Sequence, residues 1–399
     1  MDGSILVINA GSSSIKFTLF HAKGDALNEG PNGQVDAIGI APRLKASGLP
    51  NGARVDRSYP KEAVPDHTAA MRLIDALLGE HTEGNERIIA VGHRVVHGGL
   101  HLTRPRHVDP ALMTELEGTV PLSPVHQPGA IAGIRAVSEA MPNVVQYVCF
   151  DTAFHANQPK VAQTFAIPRA LTESGVRRYG FHGLSYEYIA EVLPEVVPDQ
   201  PRRRVVVAHL GNGASMSAVL DGKGVAHTMS FTPLDGLAMG TRCGSIDAGV
   251  VFYLVRERGM TVAQVEDLLW NRSGLLGISG LSSDMRDLER SNTPEAREAV
   301  DFFVYRVVRE LGSLAAAMGG LDGLVFTAGI GEHSPQVRGA VLRAAGWMGF
   351  ELDEAANEAN GPLLTSGRSR LWARVIPTNE NLMIARHVLR HVLRHLAGA

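Results

Sequence analysis

Short apolar runs bounded by turn residues alternate along this chain with longer stretches of helical periodicity. Residues 5–8, 88–91, 144–150, 204–208 and 324–327 are rich in β-branched side chains and read as buried strands. Residues 68–78, 128–140, 184–193, 262–269, 294–318 and 334–345 carry apolar positions three and four apart and read as helices. Strands alternating with helices predict an α/β class. Residues 24–64 are rich in Gly, Pro and Asn with weak periodicity, which predicts edge strands and loops. The apolar stretch 311–330 is broken by Asp322 and by Gly319, Gly320, Gly323 and Gly329, so it reads as buried helix, turn and strand, not as a membrane span. Residues 381–396 predict an amphipathic helix whose stripe is Leu382, Ile384, Val388, Leu389, Val392, Leu393 and Leu396. Its His387, His391 and His395 have a spacing that a metal site would use, but a solvated face flanked by Arg386, Arg390 and Arg394 accounts for them as well.

One segment recurs. Residues 5–17 lie over residues 205–217 with Gly11 on Gly211 and no gap. Each copy is an apolar strand, a tight loop of small residues and a second alternating strand. The repeat predicts two similar domains with a ligand cleft between them, against the plainer alternative of two unrelated hairpins.

Composition narrows the function. The chain has 399 residues and a formal net charge of −3, with 38 Lys+Arg against 41 Asp+Glu. That length suits two or three domains, and near-neutrality argues against a nucleic-acid coat. Cys149 and Cys243 alone cannot frame disulfides and fit a reducing cytosol. No basic leader precedes the first apolar run, so a soluble, cytoplasmic protein is expected. Glycine is the unusual component, at 43 residues against 7 Tyr and 3 Trp.

Much of that glycine sits in candidate ligand loops. Gly11–Ser14 and Gly211–Ser215 have the composition of phosphate cradles, and Lys16 follows the first. No Walker loop or G-x-G-x-x-G fingerprint is present. A third loop holds Gly329, Ile330, Gly331, Glu332 and His333 and leads into a helix expected at Ser334. Arg94 stands between His93 and His97, ahead of Gly98 and Gly99, placed to clamp a carboxylate or phosphate or else to serve as a surface arginine. Asp151 at a strand's carboxyl end is a base, a magnesium ligand, an arginine partner or a helix cap. His182 between Gly180 and Gly183, loop His126, and Arg242 between Gly240 and Gly244 complete the cationic set. Cys243 reads as a bystander thiol, its pKa lowered by the neighbouring Arg242. Asp284, Met285 and Arg286 form a polar segment, and Glu380 is a metal ligand or a first-turn helix acid. Together these suit phosphoryl transfer: positioning, charge neutralisation and magnesium on few protein ligands.

In order along the chain, residues 7–16, 92–99, 150–155, 179–183, 209–215, 239–242, 329–332 and 377–380 resemble the signatures of the acetokinase family, within the acetate and sugar kinase/actin-like ATPase superfamily. The resemblance implies a duplicated actin-like (ribonuclease H-like) α/β fold. It implies a first domain of residues 1–150 with 381–399, a nucleotide-binding domain of residues 151–380, and a homodimer. It implies transfer of phosphate from ATP to acetate, giving ADP and acetyl phosphate, with Mg²⁺ (or Mn²⁺). By resemblance Asn9 and Glu380 hold the metal, Arg94 binds substrate and Asp151 positions acetate or Arg94. His182, Arg242 and His126 contact the transferring group. Lys16, Ser12 and Ser14 form the first domain's phosphate-side loop. His209, Leu210, Gly211, Asn212, Gly213, Asp284, Met285, Arg286 and residues 329–333 bind nucleotide. Val96, Val125, Phe181 and Pro233 line the acyl pocket, where Val125 replaces a usual Leu and removes a methylene worth about 1 kcal/mol, enough to admit propionate. Tyr186 stands where a His is usual, Cys243 where a Ser is, His333 where an Asn is, and Asn381 where a second Glu is common.

Overall fold

The computed structural model describes residues 2–81 and 87–397, except the side chains of Asp2, His81 and residues 395–397. The side chains of the stripe residue Leu396 and of His395 therefore lie outside the described set. The chain divides into two units, residues 1–153 with 379–399, and residues 154–378. Asp151 and Glu380, expected in the second domain, thus pack with the first unit.

The first unit holds eight strands: β1 (Asp2–Ala10), β2 (Ile15–Lys23), β3 (Ala26–Asp36), β4 (Arg43–Ser47), β5 (Val55–Ser58), β6 (Ile88–Val95), β7 (Arg106–His107) and β8 (Val145–Phe150). Their order in the sheet is β5-β4-β3-β2-β1-β6-β8-β7. β1 pairs antiparallel with β2 and parallel with β6, and β6 runs parallel to β8. Central β1 is apolar on both faces because both are covered. Leu6 and Ile8 join Met71, Ile74, Leu78, Ala136 and Val137 from the helices His67–His81 and Gln127–Ala140. The amphipathic helix Glu380–Ala397 buries Met383, Ile384, Val388 and Leu389. It packs close to β6 because Gly92 has no side chain: a Cβ there would lie 2.6 Å from Ile384 Cγ2. Gly92 therefore does not break the strand, which runs four residues past the expected end and carries His93 and Arg94 within it.

The second unit holds β9 (Arg204–Leu210), β10 (Ala214–Leu220), β11 (Lys223–His227), β12 (Gly323–Thr327) and β13 (Trp372–Val375), in the order β11-β10-β9-β12-β13. Tyr186, Ile189 and Leu193 of the helix Gly183–Val196 pack on Val205, Val207 and Val325. The five-strand order repeats β3-β2-β1-β6-β8: an antiparallel hairpin and its neighbour, then two parallel strands. The duplication is thus one of topology as well as of sequence. It carries one slip. The β1–β2 loop has four residues, closed by Gly11 N–H donating to Ser14 O at 2.8 Å, whereas Ala214 already pairs with Leu210 in the second copy. Structurally Ala214, not Ser215, matches Ile15.

Candidate active site

In the first unit, parallel pairing of β6 with β8 sets Arg94 opposite Cys149, and Asp151 follows where β8 ends. The Arg94 fork closes on the Asp151 carboxylate, Nε donating at 2.9 Å and Nη2 at 2.7 Å. Nη1 lies 3.5 Å from the Glu380 carboxylate, in the first turn of the last helix. Asp151 is only 2% exposed, and both its carboxylate oxygens accept from Arg94. Burial pushes the Asp151 carboxyl up, opposed by the Arg94 charge; burial alone would lower Arg94, but Asp151 and Glu380 carry it above its ordinary value. The result is a fixed guanidinium with donors left over, which is the geometry of a carboxylate clamp.

The loop of Ser12 and Ser14 lies in the same unit. Its Gly11 carbonyl accepts a bond from His67 Nε2 at 2.7 Å. The helix Gln127–Ala140 starts at His126 and crowds this loop, since a Cβ on Gly129 would sit 2.6 Å from the Gly11 carbonyl carbon. Asn9 and Lys16 are register partners across β1 and β2, and Lys16 is exposed. Val96 is half-buried and Val125 exposed. Asn9 and Glu380 offer one amide and one carboxylate oxygen, hard donors that fit a magnesium ion keeping water and phosphate as its other ligands. Elsewhere in this unit His391 stacks on Tyr147 at 5.3 Å, and among the described residues no group of three or more His, Cys, Asp or Glu could hold a metal.

In the second unit, His182 precedes the helix Gly183–Val196 in a left-handed conformation, φ 55°. Its ring stacks on His209 at 4.2 Å, and its Nδ1 lies 2.8 Å from Ser215 Oγ. Arg242 donates to the Pro233 carbonyl at 3.0 Å and lies over the Trp270 ring. Burial holds it below its ordinary pKa, a cation poorly compensated by solvent. A methyl group on Gly213 would stand 3.6 Å from His182 Nε2 and 3.7 Å from both terminal nitrogens of Arg242, so the two side chains converge there. Phe181 and Pro233 are buried beside them. The pKa of Cys243 runs opposite to expectation: burial, aided by Asp235, pushes its thiol up to about 11.

A pocket of about 570 Å³ gathers Gly211, Asn212, Asp284, Met285, Arg286, Gly329, Ile330 and His333. Ser283, Glu289 and Ser334 also line it and were not legible as site residues. Their signal lies in helix starts, because Asp284 and Ser334 are N-caps and Glu289 follows Met285 by one turn. Five expected nucleotide residues do not line this pocket. Leu210 and Gly331 are buried, His209 lies under His182, and Gly213 faces Arg242. Glu332 turns inward and accepts from the backbone N–H of Ala328 (2.8 Å) and Thr378 (3.2 Å). The third glycine loop is itself a helical turn, Ala328–His333, entered through Ala328 at φ 64°. Fully buried Arg338 holds it by donating to the carbonyls of Gly331 and Glu332, both at 3.0 Å, a support that the sequence did not reveal.

Comparison with known proteins gives a consistent picture. The profile of the acetokinase family matches residues 4–386. The acetate kinase of Nitrobacter hamburgensis is 50% identical over 387 residues, 97% of this chain and 95% of that protein. One from Rhodopseudomonas palustris is 49% identical over 398 residues, 97% and 98% of the two chains. Among solved structures, Porphyromonas gingivalis acetate kinase superposes with a TM-score of 0.88 at 34% identity, covering 97% of this chain and 99% of that one. A propionate kinase from Francisella tularensis gives 0.90 at 34% identity, covering 96% and 98%.

Proposed function

The chain belongs to the acetokinase family, and from that premise we propose that it transfers the γ-phosphoryl group of ATP reversibly to acetate, giving acetyl phosphate and ADP. The observation that carries this reading is the loop Gly211-Asn212-Gly213. Its first two residues line the 570 Å³ pocket, and its third meets His182 and Arg242. A nucleotide in that pocket with its phosphates along the loop would present its terminal phosphate to two cationic or donor groups, which phosphoryl transfer requires.

Acetate is assigned to the first unit, on Arg94, with its methyl group toward Val96 and Val125. A carboxylate is already a competent nucleophile. One of its oxygens attacks the γ-phosphorus in line, and the bond to the β,γ-bridging oxygen breaks with its electron pair leaving on ADP. No base is needed, so the task of Asp151 is to hold the Arg94 fork. Arg242 neutralises charge on the transferring group, and His182 and His126 donate hydrogen bonds to it. Ser12, Ser14 and Lys16 face the phosphate side. Asn9 and Glu380 are the residues suited to hold Mg²⁺, which when bound neutralises phosphate charge.

The replacement of Leu by Val125 favours propionate as a second acceptor. We assign a cytoplasmic homodimer; no described helix is long and apolar enough to cross a membrane. The helix Ala248–Arg256 is apolar, yet none of its residues is buried, which suits a second copy as its cover. A nucleotide-switched binding protein would instead hydrolyse ATP without phosphorylating a carboxylate.

The test is trapping of acyl phosphate as hydroxamate from ATP, Mg²⁺ and acetate, propionate or butyrate. Acetate should give the highest kcat/KM, Arg242→Ala should lose about 10²–10³-fold in kcat, and Asp151→Asn should raise the acetate KM more than it lowers kcat. Absence of hydroxamate with all three acids refutes the reading; a preference for the longer acids replaces acetate by propionate.

A further inference from the structure

Behind His182 lies a chain of hydroxyls that the reaction scheme above leaves unexplained. His182 Nδ1 is 2.8 Å from Ser215 Oγ, and Ser215 Oγ is 2.6 Å from Tyr186 Oη. Ser215, on β10, and Tyr186, one helical turn after His182, are both fully inaccessible to solvent. Tyr186 is also the position where this chain departs from the usual His of the motif.

The proton count along this chain follows from one requirement. If His182 donates to a transferring phosphoryl group, the atom that does so is Nε2, because Nε2 faces Gly213 and Nδ1 faces Ser215. The Arg242 guanidinium stands at the same Gly213, and a positive charge there works against a second one on the ring. A neutral imidazole with its proton on Nε2 must accept at Nδ1. Ser215 then donates its single proton to Nδ1. Its oxygen can only accept from Tyr186, which therefore donates.

The groups around the relay agree with this. The His209 ring stacks on His182 from β9 and bonds through Nδ1 to Ser185 Oγ at 2.8 Å. Around Tyr186 stand His155 and His227, with ring centroids at 5.6 and 5.4 Å, both kept neutral by burial. Arg242 is thus the one fixed charge among the groups named here.

We propose that Tyr186 and Ser215 are positioning residues whose hydroxyls relay Tyr186→Ser215→His182 and so hold the neutral Nε2–H tautomer for the phosphoryl group. This rests on the reading of His182 as a phosphoryl donor, and its test separates the two. In the full-length protein labelled with ¹⁵N-histidine, with the His182 signals identified by their loss in His182→Ala, the ring at pH 8 should show a pyridine-type Nδ1 and a protonated Nε2. Tyr186→Phe and Ser215→Ala should each lower kcat about tenfold with both KM values nearly unchanged, and Ser215→Thr should recover most of the loss. In the His182→Ala background, Tyr186→Phe should have no further effect. A protonated Nδ1, an imidazolium at pH 8, or a Tyr186→Phe loss that persists undiminished without His182 overturns the relay. A correct tautomer in a protein that phosphorylates no carboxylate overturns the function and leaves the relay standing.

Discussion

Two histidines, His93 and His155, couple this fold to pH because they are buried and hydrogen-bonded through Nε2. His93 Nε2 donates to Gln146 Oε1 at 2.8 Å, and His155 Nε2 donates to the Phe181 carbonyl at 3.0 Å. Burial pushes each ring down to about 4 from 6.5. The unfolded chain therefore binds protons between these values that the folded chain refuses, and stability rises with pH across that window. The contribution is whole above about 6.5 and is withdrawn as pH falls, about 2 kcal/mol per ring by pH 5 and about 3 kcal/mol by pH 4. Urea midpoints should fall steadily from pH 7.5 to 5, and His93→Gln should flatten that slope by about one proton; a midpoint independent of pH would contradict it. The same scale shows what the sequence could disclose. Arg94, Asp151 and Glu380 each stood out by residue type and neighbours. The pairing of Arg94 with Asp151 stood among the alternatives, but choosing it, and adding Glu380, depends on the β6–β8 register and on the entry of the last helix, which join residues 94, 151 and 380. The bystander reading of Cys243 agrees with the structure, but the direction of its pKa shift was misread: Arg242 is adjacent in sequence, yet its guanidinium points to Pro233 and Trp270, and burial decides the thiol.

The elements that carried a clear period were legible, and those that lean on neighbours were not. The helix predicted at residues 128–140 forms as Gln127–Ala140 because its apolar face meets β1 and the helix His67–His81. By contrast β13 has only four residues, and Ala248–Arg256 is apolar without a polar face to mark its period. The third glycine loop read as irregular, yet backbone bonds, the Glu332 cap and Arg338 wind it into a turn of helix. At the helix behind His126 the purpose of glycine is closeness. Gly129 brings the helix behind His126 against the Gly11–Ser14 loop, so a Cβ would meet backbone atoms at 2.6–2.9 Å that have no side chain to swing away. Gly129→Ala should therefore cost about 1–3 kcal/mol by overpacking, despite the better helix propensity of alanine. It should also reduce kcat/KM, because His126 and the serine loop shift together. Denaturation and steady-state kinetics on one preparation check both, and a stabilised, fully active variant would show that the helix slides freely.

At the scale of the whole molecule, the duplicated order of strands explains how one chain supplies two kinds of ligand loop. Each β-hairpin places a small-residue loop at the end of its central strand, Gly11–Ser14 after β1 and Gly211–Gly213 after β9. The copies then differ, the first unit carrying the Arg94–Asp151–Glu380 cluster, the second setting His182 and Arg242 at its loop beside the nucleotide pocket. Among the described residues, the second unit carries an apolar helix with no residue buried. Phe252 is 56% exposed and Tyr253 49%, with Ile246 and Val250 also open, an arrangement that costs solubility unless something covers it. A stable homodimer buries about 800 Å² per partner, and two exposed aromatics with flanking aliphatics are the anchors that such an interface uses. Phe252→Glu places a charge where the proposed partner would desolvate it, and charge burial without a pair is the strongest way to weaken an interface. Sedimentation velocity should show a dimer for the natural chain and a shift toward monomer for Phe252→Glu, with the monomer retaining its circular dichroism spectrum. If the natural chain sediments as a monomer at tens of micromolar, the exposed helix needs another partner, and the homodimer is wrong.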